Sequence, residues 1–155
     1  MSLVVQKYGG SSLKDSASIV RVADRIIDSF KRGNLVVVVV SAMGNTTDQL
    51  TDLAYSVSSQ PEPREMDVLL STGELVSCTL VTMALREQGQ EAISLSGAQA
   101  GIKTDDSYGK ARITLVEPKR ILNELAKGKI VIVAGFQGIA NSKDITTLGR
   151  GASDL

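Results

Sequence analysis

Residues 34–47 read NLVVVVVSAMGNTT. Leu35 to Val40 is an unbroken run of six apolar residues, five of them valine. β-Branched side chains favour extended backbone, and a strand without polar alternation has to be covered on both faces. The run therefore predicts a strand inside a parallel sheet sandwiched by helices. It gives way at Ser41–Thr47 to a polar, glycine-containing loop at the strand's carboxyl end. Upstream, Leu3–Gln6 reads as a short strand, Gly9–Ser12 as a loop, and Ser16 as the N-cap of a helix. Ile19, Val20, Val22, Ala23, Ile26, Ile27 and Phe30 keep helical spacing, and Gly33 stands where a helix ends. Strand, helix and strand within about 40 residues make one βαβ unit.

Downstream the alternation continues. Asp48–Val57 reads as helix, Ser58–Pro63 as a proline-bearing turn, and Arg64–Gln88 as helix with a break near Ser71–Gly73. Ala92–Leu95 is a short strand, Gly97–Gly109 an irregular polar stretch, and Ala111–Val116 a further strand. Pro118 opens a helix that runs to Lys127 and stops at Gly128. Lys129–Ala134 is a second strand with an apolar interior. Gly135–Gly138 is a loop, and residues 139–155 are mostly irregular. This order predicts an α/β domain with a mainly parallel sheet, in which ligands gather beyond the carboxyl ends of the strands. Three loops fall there: Gly9–Ser12, Ser41–Thr47 and Gly135–Gly138.

Bulk composition narrows the chemistry. The 155 residues suffice for one domain with a proper core. Seventeen basic residues balance seventeen acidic ones, which argues against a nucleic-acid surface. Histidine is absent and Cys78 is the one cysteine, so a Cys/His zinc site, a histidine triad and an internal disulfide are excluded. Lys7 and two glycines interrupt the only amino-terminal apolar run, and no apolar stretch reaches membrane-spanning length. A cytoplasmic protein is the expectation. Cys78 reads as a buried small hydrophobe and the methionines as core.

The opening loop carries the first candidate chemistry. In KYGGSS, Gly9 and Gly10 allow close backbone approach, and Ser11 and Ser12 offer hydroxyls. The helix that follows favours an anion at its start, and Lys7 can sit beside phosphate oxygens. A tight turn with a solvated lysine fits the same residues. Glu74, in STGELVS, reads either as a solvated surface side chain or as a ligand for an ammonium group. Thr46 and Thr47 either cap the next helix or hydrogen-bond a carboxylate. In TTLGRGASD, Arg150 can grip a carboxylate, while Asp154 could take a proton or hold Mg²⁺ through water. A polar tail is the alternative there. The stretches GAQAGIKT and GRGASD look like nucleotide loops, but their lysine and glycine spacing is wrong.

KYGGSS, VVVVVSAMGNTTDQL, STGELVS, VAGFQG and TTLGRGASD, taken in that order, resemble the catalytic domain of aspartate kinases, within the amino acid kinase superfamily. The resemblance covers essentially the whole chain. It implies a three-layer α/β/α, carbamate kinase-like fold, truncated to the amino-terminal, acceptor-binding lobe over residues 1–155. It also implies phosphoryl transfer from ATP to the β-carboxylate of L-aspartate, the first step toward lysine, threonine and methionine. Lys7 would contact the transferring group, and Gly9, Gly10 and Ser11 would line the ATP phosphates. Ser41 would lie near the phosphoryl path, and Thr47 and Glu74 would bind aspartate. Arg150 and Ser153 would hold its carboxylate, and Asp154 would organise Lys7 or the acceptor. Mg²⁺ would arrive with the nucleotide, with no metal ligand assigned to the chain. A carboxylate is already nucleophilic, so no general base is required.

Two departures stand out. The family pattern GRGGSD reads GRGASD here, so Ala152 replaces a glycine. The nucleotide lobe and the regulatory ACT domains expected of the family do not follow. An exposed sheet edge would then invite self-association, so a homo-oligomer is expected. Two other readings share these motifs: a non-catalytic amino-acid-binding or assembly module, and a kinase of the superfamily with another acceptor.

Overall fold

The computed structural model describes residues 1–149. The opening βαβ unit is present: β1 (Leu3–Tyr8), α1 (Ser16–Lys31) and β2 (Leu35–Val40). β1 runs two residues further than the sequence predicts, and the loop after it is a short 3-10 turn, Gly10–Leu13. Asp15, not Ser16, caps α1, its carboxylate accepting from the Ser18 N–H at 2.8 Å. α2 (Thr46–Val57) and α3 (Pro63–Glu87) follow. α3 is continuous through Ser71–Gly73, and Ser71 and Gly73 are buried in it. β3 (Ala92–Leu95), β4 (Ile102–Thr104), β5 (Ile113–Val116), α4 (Lys119–Ala126), β6 (Ile130–Ala134), β7 (Gln137–Ile139) and β8 (Ile145–Thr147) complete the described residues.

The valine run is the second strand of a four-stranded parallel sheet, in the order β1-β2-β6-β3. Both of its faces are covered, as the absence of alternation requires. Val36, Val38 and Val40 pack with α1 and α3, beside Ile26, Val81 and Leu85. Val37 packs on the other side with Leu125 of α4 and Val131. The result is three layers, α/β/α, as expected. Each fully buried valine or isoleucine here contributes about 1.5–3 kcal/mol through water exclusion.

A second sheet, β5-β4-β7-β8, was not legible in the sequence. β4, β7 and β8 have three residues each, too short for periodicity to register. The second sheet combines antiparallel pairs β4–β5 and β7–β8 with a parallel contact between β4 and β7.

α3 is long and apolar enough to cross a membrane by length and composition, contrary to the sequence expectation. Here it is a core helix with buried Asp67, Ser71, Glu74 and Ser77 facing the interior. Cys78 is buried as expected, its Sγ 3.2 Å from the Ile132 carbonyl oxygen, and burial pushes its thiol up to about 12. The methionines are not uniformly core: Met83 is exposed on α3.

Candidate functional site

The in-register strands end level, with Tyr8 beside Val40 and Val40 beside Ala134. Their following loops interlock through backbone hydrogen bonds. Ser41 N–H donates to the Tyr8 carbonyl, Gly44 N–H to the Gly10 carbonyl and Gly135 N–H to the Val40 carbonyl, all within 3.0 Å. The three predicted loops therefore do meet. Gly10 has a structural reason to be glycine: a Cβ there would sit 2.7 Å from the Gly44 carbonyl oxygen. Beside Gly9 the space is open, with nothing within 4 Å of an added Cβ.

A cleft of about 560 Å³ lies between these loops, α2, α3 and β8. Gly10, Ser41, Thr47 and Glu74 line it, so the structure brings four of the sequence-predicted residues together. Lys7, Gly9 and Ser11 are not among the lining residues. Lys7 is exposed on β1, level with Val39, and alternates with Tyr8, which packs toward the α1/α3 core. Ser11 lines a separate pocket of about 210 Å³ with Lys14, Arg21 and Arg25. Arg150, Ala152, Ser153 and Asp154 lie outside the described residues.

Glu74 overturns the surface reading that suits most glutamates. It is 2% exposed, and its Oε2 has no hydrogen-bond partner among the described residues. α3 reaches this depth because residue 73 is glycine: a Cβ there would already stand 3.0 Å from the Ala42 Cβ. Ser77 fastens the same segment, its hydroxyl donating to the Ser41 carbonyl at 2.6 Å. Burial pushes the Glu74 carboxyl up to about 7, while backbone hydrogen bonds at Glu74 and Ala42 offset part of that rise. Thr46 and Thr47 begin α2 without capping it; the Thr46 hydroxyl donates back to the Met43 carbonyl.

Sequence reasoning missed Asp67, Asp48 and Phe136, which also line the cleft. Asp67 lies two helical turns before Glu74, on the same face of α3, and that spacing was the available signal. Its carboxylate accepts from the Gly109 N–H (3.1 Å), the Thr147 N–H (3.0 Å) and the Thr147 hydroxyl (2.7 Å). Phe136 adopts φ +67°, uncommon for a residue with a side chain. A clasp closes the neighbouring rim: Asp144 accepts from Arg64 (2.8 Å) and from the Tyr108 hydroxyl (2.7 Å), which holds the Asp144 carboxyl down at about 2. The charged residues lining the cleft, among those described, are Asp48, Asp67 and Glu74. An acidic, partly enclosed cleft of this kind suits a cationic group such as an ammonium.

The pattern for the amino acid kinase family matches residues 2–155. An aspartokinase of Mycolicibacterium smegmatis is 57% identical over 155 residues, 99% of this chain and 37% of that protein. Among solved structures, the aspartate kinase from Synechocystis superposes with a TM-score of 0.83 at 49% identity, over 98% of this chain and 24% of that one. The E. coli aspartokinase III in complex with lysine and aspartate gives a TM-score of 0.87 at 26% identity, over 98% of this chain and 45% of that one. The chain thus spans less than half the length of these relatives. Its parallel sheet, its cleft at the strand ends and these matches agree: the chain belongs to the amino acid kinase family, a family of phosphotransferases, and the relatives it matches there are aspartokinases.

Proposed function

We propose that this chain is the acceptor-binding lobe of an aspartate kinase and that the cleft holds L-aspartate. The observation that carries the reading is the Glu74 Oε2, buried and without a partner among the described residues, on a side chain that lines an acidic cleft. A buried polar atom left without a partner is costly, and the ammonium of an amino acid supplies both the hydrogen bond and the charge. The E. coli relative, crystallised with aspartate, supports the same ligand class.

In this reading Glu74 holds the ammonium, and Thr47 and Ser41 offer hydroxyls to the rest of the acceptor. Arg150 and Ser153 take a carboxylate, and Asp154 orients Lys7 or the acceptor. Lys7 neutralises charge on the transferring group, and Gly9, Gly10 and Ser11 face the phosphates. The open space beside Gly9 fits a bulky anion there, whereas the acidic cleft does not. Mg·ATP, when bound, supplies the phosphoryl group. The β-carboxylate of aspartate needs no base, so the chain's work is positioning and charge neutralisation, consistent with a sequence that has no histidine.

Calorimetric titration of this chain with L-aspartate, succinate and ATP tests the proposal. Aspartate is expected to bind at least tenfold more tightly than succinate, which has both carboxylates but no ammonium, and Glu74→Gln is expected to erase that preference. Equal affinity for the two dicarboxylates would remove the reading. The chain alone is expected to release negligible ADP in a coupled assay with aspartate and Mg·ATP.

A further inference from the structure

Asp67 has no assigned part in the reaction, yet it lies on the cleft wall and is 0% exposed. Its three hydrogen bonds all reach away from α3. One goes to the Gly109 turn and two go to Thr147 of β8. Gly109 and Thr147 themselves line the cleft, on segments packed directly against α3. Thr147 also ties the wall together, its carbonyl accepting from the Ala111 N–H at 3.0 Å. The same face of α3 thus carries Glu74, which lines the cleft, and Asp67, which fastens β8 and the Gly109 turn, two further parts of the cleft lining, to the helix.

We infer that Asp67 is a positioning residue for the acceptor site: it docks β8 and the Gly109 turn onto α3 and so fixes the shape of the cleft that Glu74 also lines. The inference rests on the aspartate reading only for the identity of the ligand. A carboxylate suits this role because it accepts from three donors at once without offering a hydrogen of its own. Asparagine can substitute in one orientation. Its oxygen faces the two backbone N–H groups, and its amide donates to the Thr147 hydroxyl oxygen, which reverses that one bond. Alanine can satisfy none of them.

The test compares the wild-type chain with Asp67→Asn, Asp67→Ala and Thr147→Val by amide hydrogen exchange and by titration with L-aspartate. In Asp67→Ala the Gly109 and Thr147 amides are expected to exchange about 100-fold faster, at least tenfold beyond any acceleration at Val38 and Ile132. Aspartate affinity is expected to fall about 30-fold in Asp67→Ala and less than fivefold in Asp67→Asn. Uniform acceleration across the sheet, or a folded Asp67→Ala chain with unchanged affinity, overturns the inference. If Asp67→Ala does not fold, Thr147→Val decides: it removes one bond at nearly constant volume, and a weakening of about fivefold supports positioning while no change overturns it. Should the wild-type chain fail to bind aspartate, the ligand assignment falls. Exchange confined to Gly109 and Thr147 would then still support Asp67 as the residue that fixes the wall, and uniform exchange would still overturn it.

Discussion

Glu74 and Asp67 are both carboxylates, both buried, and both on one face of α3, two turns apart. Their surroundings separate them. Asp67 meets three donors from β8 and the Gly109 turn, so both of its oxygens are engaged by protein. Glu74 is buried beside the Ala42 backbone, its Oε2 has no partner among the described residues, and burial pushes its carboxyl up to about 7. One end of the helix face is finished by the fold, and the other is left open at a cost in stability. Sites that bind a ligand commonly carry such a local cost, because the group that will meet the ligand cannot also be satisfied by the protein.

Replacing each carboxylate in turn should break this comparison most sharply. Asp67→Ala leaves the two buried Thr147 donors and the Gly109 N–H without their acceptor and should cost about 3 kcal/mol in urea denaturation. Glu74→Gln should do the opposite. The Glu74 pKa rises from 4.5 to about 7 on folding. The folded chain therefore binds a proton that the unfolded chain releases between those values, and wild-type stability falls as pH rises through that window, by about 3 kcal/mol. Glu74→Gln should be flat over the same range and more stable than wild type at pH 8. A pH series of denaturation curves measures both, and a wild-type curve without this slope would mean that Glu74 is not held as described. The same proton should make aspartate affinity rise with pH up to about 7, since an ammonium needs the ionised form; titrations at pH 5.5 and 8 read the difference.

Smaller changes sharpen the contrast between the two ends. Thr147→Val removes one of the Asp67 bonds and should cost about 1.5 kcal/mol. Ser77→Ala loses the hydroxyl that fastens the Glu74 segment to the Ser41 carbonyl and should cost about 1 kcal/mol, with a slight weakening of aspartate binding. Chemical denaturation resolves both against wild type.

The fold was legible where pattern and length cooperate. Leu35–Val40 announced a doubly covered strand, the spacing from Ile19 to Phe30 announced α1, and Ala92–Leu95 matched β3 to the residue. β4, β7 and β8 escaped because three residues carry no period, and Gln137 and Thr146 are polar yet buried. Glu74 was named as a candidate, but its burial could not be read locally: it depends on Gly73 letting α3 approach Ala42, a contact between segments about 30 residues apart in the chain. Asp67 was missed for a related reason. Its partners Gly109 and Thr147 lie 42 and 80 residues away.

By itself the sequence determined the α/β alternation, the parallel sheet and the meeting of three loops at its carboxyl edge, because hydrophobic periodicity and turn chemistry act over a few residues. It also determined that these 155 residues hold no histidine and a single cysteine, so they form neither a Cys/His zinc site nor an internal disulfide. Only the tertiary structure decided which of two similar carboxylates is satisfied and which is left open. Solvation and hydrogen-bond partners come from segments far apart in the chain, and those conditions set what a carboxylate does.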